Sequence, residues 1–151
     1  MNAEDNKKLE EFVAQSFDFA RQNDRQSLEI MINAGLNVNL ANDKGNTLLM
    51  LAAYNNSLEV ARMLLQKGAD VDKRNDKNQT PLAGVCFKGY YKMAEILIQY
   101  GANVDADNGF GLTPINCAII FRRSEIVNLL LKHKKQKISL IQKIAISMLN
   151  K

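Results

Sequence analysis

The chain has 151 residues, 46% of them hydrophobic and 24% charged, which is enough for one compact unit or one short array but not two ordinary domains. The opening stretch MNAEDNKKLEEF is acidic and lacks the apolar segment of a signal peptide, and no apolar run nears the ~20 residues of a membrane span, so a cytoplasmic protein is expected. The net charge of +4 is unevenly placed: from Phe121 onward eight Lys and Arg meet one acid, Glu125, so that this end is +7 and residues 1–120 are −3.

Residues 3–22 predict a first helix, because Leu9, Phe12, Val13, Phe17 and Ala20 recur at three- and four-residue steps and so share one face. Asn23-Asp24 break it, and Leu28, Ile30, Met31 and Ile32 predict a second helix ending at Gly35. Then the chain begins to repeat itself. Asp43–Asn75 reads DKGNTLLMLAAYNNSLEVARMLLQKGADVDKRN, and a shift of 33 residues carries Thr47 onto Thr80 and Thr113. The same shift carries Gly35 onto Gly68 and Gly101, and Leu64 onto Leu97 and Leu130. A fixed period of this size marks stacked repeats.

Within each copy, Thr47, Thr80 or Thr113 is placed to cap a helix with its hydroxyl, and Pro81 and Pro114 follow at a position that has no use for an N–H. The first helices of the copies are predicted over 48–55, 81–88 and 114–121, and the second over 58–67, 91–100 and 124–133. Gly68 and Gly101 fall at the left-handed positions that end the second helices. Gly45, Asn78 and Gly111 fall at fingertips that need positive φ. After His133 the pattern loses its Gly-Ala to Lys134-Lys135. KISLIQKIAISMLNK then sets Ile138, Ile141, Ile144, Ala145 and Met148 on one stripe, with Leu140 and Ile146 off it, which predicts a closing helix over 138–149.

These residues resemble the ankyrin repeat, whose pattern runs roughly D-x-x-G-x-T-P-L-H-x-A-A, then L-L, then G-A-D-V-N. The matching residues are Gly45, Thr47, Leu49, Ala52-Ala53, Leu64-Leu65 and Gly68-Ala69-Asp70-Val71-Asp72. Thr80-Pro81-Leu82, Leu97 and Gly101-Ala102-Asn103-Val104-Asp105 follow, then Gly111, Thr113-Pro114-Ile115, Ala118 and Leu130-Leu131. The resemblance implies an all-α ankyrin-repeat solenoid of helix-turn-helix units with short hairpin-like loops, capped at both ends. A single domain is expected, with a capping repeat over 1–41, repeats over 42–74, 75–107 and 108–136, and a capping helix over 137–151. The pattern's histidine is replaced by Met50, Ala83 and Asn116. Gly84 stands mid-helix where an alanine would be about 1 kcal/mol better. It reads either as drift or as a notch through which a partner reaches the backbone.

A catalytic constellation does not assemble from this sequence. Its one histidine, His133, lies in a lysine-rich stretch, and Cys86 and Cys117 read as small buried apolar residues of a reducing compartment. No phosphate loop, H-E-x-x-H or EF-hand pattern is present, and of the pairs Asp70/Asp72 and Asp105/Asp107 the resemblance implies that the first three are turn residues, which favours a structural role for both pairs. No enzyme, cofactor or metal site is expected. Nucleic acid is not the expected partner either, because the C-terminal lysines are not interleaved with stacking aromatics.

By the resemblance, a protein partner lies along the concave side formed by fingertips and inner helices, and the chain is expected to be a monomer. Polar residues hold that side early in the chain, whereas the last repeat offers Phe110, Leu112, Ile120 and Phe121. Tyr54, Phe87 and Lys88 join them as candidate contacts. Large contiguous apolar patches on a monomer usually have a partner, although the closing helix could instead fold over this one. The alternative the resemblance suggests is an accessory protein of a haem enzyme such as catalase, with an axial ligand drawn from His133, Tyr54, Tyr90, Tyr91, Tyr100, Cys86 and Cys117.

Overall fold

Short local signals dictate most of the elements. The computed structural model describes residues 1–151 and is all-α, with nine helices, one isolated bridge between Ala41 and Thr47, and no β-strand. Residues 1–70 and 71–151 form two compact units.

The first unit holds α1 (Ala3–Arg21), α2 (Arg25–Asn33), α3 (Leu48–Tyr54) and α4 (Leu58–Gln66). Asn2 and Asp5 open α1 with a capping box. Its C-terminal half packs against α2 and α3 and buries Ser16 and Ala20. The apolar face predicted for α1 is only partly used: Leu9 and Phe12 stand exposed. The sequence stripe runs the whole helix, but the partners α2 and α3 reach only its later turns. The fully buried side chains of α3 and α4 include Leu48, Leu49, Val60, Met63 and Leu64.

The 33-residue period is also written in the backbone. Asn23, Asn56, Gly89 and Arg122 stand at the same place in successive helix pairs, with φ of 58, 55, 84 and 57°. In the first unit that residue has a second task. The Asn23 side-chain oxygen accepts from the N–H groups of Glu59 and Val60, both at 3.1 Å, and so caps α4 from the loop of the preceding pair. Ser57, the residue that precedes α4, makes no cap and donates instead to the Arg21 carbonyl at 3.0 Å.

The second unit holds α5 (Pro81–Lys88), α6 (Tyr91–Gln99), α7 (Pro114–Ile120), α8 (Ser124–His133) and α9 (Leu140–Leu149). In it α5 packs on α6 and α7, α8 on α6 and α7, and α9 on α7 and α8. Leu82, Val85, Met93, Leu97, Ile115, Ile126 and Leu130 form its core. The three threonines cap as predicted, accepting from Met50, Ala83 and Asn116 at 3.1, 3.3 and 3.4 Å. Gly68 and Gly101 end α4 and α6 at φ of 90 and 89°, and Asn78 holds its fingertip at 61°. Gly84 is buried, so it offers no notch to a partner.

Each finger turn is tied to the next by a side chain from one repeat earlier. Asn39 accepts from the Asp70 N–H at 2.8 Å, and Asp72 from the Asn103 N–H at 3.1 Å. Asp105 accepts from the N–H groups of Lys135 and Gln136 at 3.1 and 3.2 Å. Here the pattern changes. Where Gly68 and Gly101 stand in the other copies there is Lys134, in extended backbone at φ −68°, ψ 129°. Its ammonium pairs with the Asp105 carboxylate, and the two side chains are 7% and 8% exposed. Burial alone raises the Asp105 carboxyl, but the Lys134 ammonium and the two backbone N–H groups outweigh it and hold the carboxyl below its ordinary 3.8. The lost glycine is therefore a replacement: an ion pair fixes the exit of α8 where a left-handed turn does so elsewhere.

The closing helix forms, but not on the predicted face. Ser139 caps it with Gln142 completing a capping box, so it starts at Leu140. Gln142, Ala145, Ile146 and Leu149 are its half-buried positions. Ile141, Ile144 and Met148 of the expected stripe are 79, 54 and 64% exposed, and Leu140 is 73% exposed. A polar contact sets this orientation: the Gln142 amide donates to the Asn116 side-chain oxygen at 2.7 Å, and the Asp105 clasp holds the chain just before the helix. Two specific polar anchors outweigh a continuous apolar stripe.

Candidate functional site

The last finger is built differently from the two before it. In those, Asn42 and Asn75 each accept from two N–H groups of their own fingertip, at residues 44 and 46 and at 77 and 79. Asn108 holds the equivalent place but turns away, accepting from the Thr80 N–H of the preceding repeat at 2.9 Å. Asp107 takes over one residue earlier and accepts from Gly109 and Gly111 at 2.8 and 3.1 Å. The tip is thereby re-registered. Gly109, Phe110 and Gly111 all adopt positive φ, at 111, 52 and 76°. A phenylalanine in that region is uncommon and strained, and side chains held so are often displayed for a purpose. Phe110 is wholly exposed.

The finger is also braced at its base. The Asn116 amide donates to the Gly111 carbonyl at 2.6 Å while its oxygen receives Gln142 of α9. Thus the residue that departs from the repeat pattern's histidine couples the fingertip to the closing helix. Arg74 donates through one nitrogen to the carbonyls of Asn78 and Asp107, both at 2.9 Å, and joins the third finger to the fourth.

Phe87 and Phe121 come together at the ends of α5 and α7. Their ring centroids are 4.5 Å apart at an interplanar angle of 81°, the edge-to-face geometry aromatic quadrupoles favour. Both are still exposed at their outer surfaces, as are Ile120 and Leu112. The closing helix therefore leaves the patch open. Lys88, the last residue of α5, is half-buried beside it in sequence. Tyr54, the last residue of α3, is exposed in the first unit.

Arg123 supports the pair from behind. Its Nε and Nη2 donate to the Phe87 carbonyl at 3.3 and 3.1 Å, satisfying the C-terminal end of α5. Gly89 makes room for it, since a Cβ there would lie 2.8 Å from the Arg123 Nε. Positive φ alone does not demand glycine here, because Arg122 and two asparagines hold the equivalent position. Gly89→Asn should therefore cost about 1 kcal/mol through loss of the guanidinium bond. Arg123→Ala should cost a similar amount, and the double variant little more than either, as urea denaturation of the four proteins would reveal. Additive losses would mean the two residues act separately.

The remaining candidates carry no evident chemistry. Asp72 and Asp105 are occupied with backbone N–H groups, as the turn reading expects, and Asp107 is occupied in the same way. Burial pushes both thiols up, Cys86 far above the ordinary range with Cys117 adding to it, so neither is poised as a thiolate near neutral pH. His133 ends α8 at the surface. Sequence reasoning passed over Arg123 and gave Asn116, Asp107 and Lys134 no part in the site. The signals it had were the replacement of the pattern's histidine by Asn116 and of Gly-Ala by Lys134-Lys135.

Comparison with known proteins agrees with the repeat architecture. Sequence models described as ankyrin repeats in many copies and as ankyrin repeats in three copies match residues 31–85 and 71–141. An ankyrin repeat protein of Pseudomonas aeruginosa is 48% identical over 54 residues, covering 36% of this chain and 32% of that protein. The match thus spans about a third of the curated relative's length.

Proposed function

This chain belongs to the ankyrin-repeat family, and from that premise we propose that it is a non-catalytic adaptor that grips a protein partner through the finger and inner-helix side of residues 71–151. Ankyrin repeats are protein-interaction modules, and a fold of this kind leaves the partner to be argued from its surface. The observation that carries the reading is Phe110, held wholly in solvent on a strained, re-registered fingertip. Leu112, Ile120, Phe121 and Phe87 supply further exposed apolar surface in the same unit, and Lys88 follows Phe87 there, whereas Tyr54 belongs to the first unit. Interface energy concentrates in a few aromatic anchors of this type, whereas lysines at a rim act more on rate and salt response. The buried, unpaired thiols suit a reducing compartment, which supports the cytoplasm as the proposed location.

Capture of the partner from the native cells with wild-type protein, followed by affinity measurements on variants, tests the proposal. Phe110→Ser should weaken binding by about 2 kcal/mol or more without a change in melting. Phe121→Ser should weaken it similarly and also lower stability by about 1 kcal/mol, because it breaks the ring pair with Phe87. Replacing Lys132, Lys135 and Lys137 together should alter mainly the salt dependence. Full affinity in a folded Phe110→Ser, Phe121→Ser double variant would move the contact face elsewhere.

A further inference from the structure

Two apolar surfaces lie outside the finger face, one in each unit, and they are complementary. On α9, Leu140, Ile141, Ile144 and Met148 form an exposed aliphatic face on a ten-residue helix. Lys143 is an exposed residue of the same helix and exposed Lys137 precedes it, and no acid occurs after Glu125. On α1, an open groove of about 540 Å³ has Leu9, Val13 and Phe17 among its apolar residues. Its acidic members are Glu10, Asp18 and Asp43, of which Asp18 is paired with Arg21 at 3.0 Å. Residues 1–70 sum to −3 and residues 71–151 to +7.

We propose that the exposed face of α9 docks in the α1 groove of a second copy of this chain. The dimensions agree: α9 is about 15 Å long, and the stretch of α1 from Leu9 to Arg21 about 20 Å, at 1.5 Å per residue. Charge selects this occupant over the symmetric one. Packing α9 on α9 of the partner copy sets Lys137 and Lys143 against their own kind, whereas the groove brings Glu10 and Asp43 to meet them. The contact is heterologous, with different surfaces on the two copies, so each chain keeps one helix and one groove to offer. It is independent of the finger face.

Sedimentation of the full chain tests this directly. The weight-average mass should rise with protein concentration, and rise less as salt is increased, since the charge contribution is screened. Ile144→Glu places a carboxylate in the apolar contact, and Leu9→Lys places a cation in the groove. Each should weaken self-association by about a hundredfold, with the helical spectrum unchanged because both side chains are exposed in the free chain. The decisive measurement mixes the two variants. The Ile144→Glu chain retains its groove and the Leu9→Lys chain its helix, so the mixture should form a one-to-one dimer with wild-type affinity. A mixture that stays monomeric while wild type associates would mean a symmetric contact and overturn the proposal. So would a wild type that stays monomeric at all concentrations, including one whose α9 instead binds vesicles rich in anionic lipid in an Ile144-dependent way.

Discussion

Asp105→Ala should destabilise the second unit by about 3 kcal/mol, the largest loss expected from a single polar substitution in this chain. The pair it breaks is almost dry, so removal of the carboxylate leaves the Lys134 ammonium buried without its counter-ion. Two backbone N–H groups lose their acceptor at the same time. The damage should be local before it is global. Hydrogen exchange should show the amides of α9 opening first, since the clasp stands immediately before that helix. Lys134→Met should cost less, because Asp105 then keeps both N–H donors and loses only the ammonium.

The same pair gives a pH dependence of known sign. The folded carboxyl titrates below the unfolded value of 3.8, so its contribution is fully present above that pH. It is lost as pH falls from there through the folded pKa. The gap in stability between wild type and Asp105→Ala should therefore be constant at neutral pH and close below about 4. A gap that persisted unchanged to the acid limit would mean that the stabilisation comes from packing rather than from the charge.

Asn23→Ala should be the costliest polar substitution in the first unit, at about 2–3 kcal/mol. Two losses combine. Alanine must adopt φ near 58°, which asparagine accepts readily and which costs most other residues with a Cβ about 1–2 kcal/mol. The carboxamide that caps α4 from the preceding pair also disappears, and Ser57 is already committed to Arg21. Asn23→Gly separates the two, because glycine accepts the backbone conformation but supplies no cap. It should cost about 1 kcal/mol in urea denaturation. Equal losses for alanine and glycine would leave the cap responsible for everything, and a harmless glycine would leave it inert.

These two residues mark where the sequence stops being readable. Thr47, Thr80 and Thr113 cap helices three residues away, so pattern and structure are the same local fact. The left-handed ends at Gly68 and Gly101 are equally local, and the helices predicted over 48–55, 58–67, 81–88, 91–100 and 114–121 follow from these signals. Asn23 acts on α4 across 36 and 37 residues, and Lys134 meets Asp105 across 29, where spacing carries no signal. Periodicity misplaced α9 for a related reason. It reports which side chains could share a face, and Gln142 on Asn116 decides which face is turned inward. At the candidate site, the apolar character of Phe110, Leu112, Ile120 and Phe121 was visible in the sequence. The shift of the fingertip onto Asp107 was not, since Asn108 keeps the repeat's residue while changing its partner.

The ties that hold the turns after α4, α6 and α8 run in one direction. Asn39, Asp72 and Asp105 are acceptors, and each serves an N–H lying 31 residues later, at Asp70, Asn103 and Gln136. A repeat cut from this chain therefore carries the hook for its successor but depends on its predecessor to hold its own turn. For chimeras this sets a splicing rule. A foreign repeat inserted after residue 107 will seat its turn on Asp105 whatever its own sequence, because the donor is main chain. A foreign repeat placed before residue 75 must itself supply Asp or Asn at the position that Asp72 now holds. Libraries built on this scaffold should tolerate exchange at their downstream joints and fail at upstream ones that lack that single side chain.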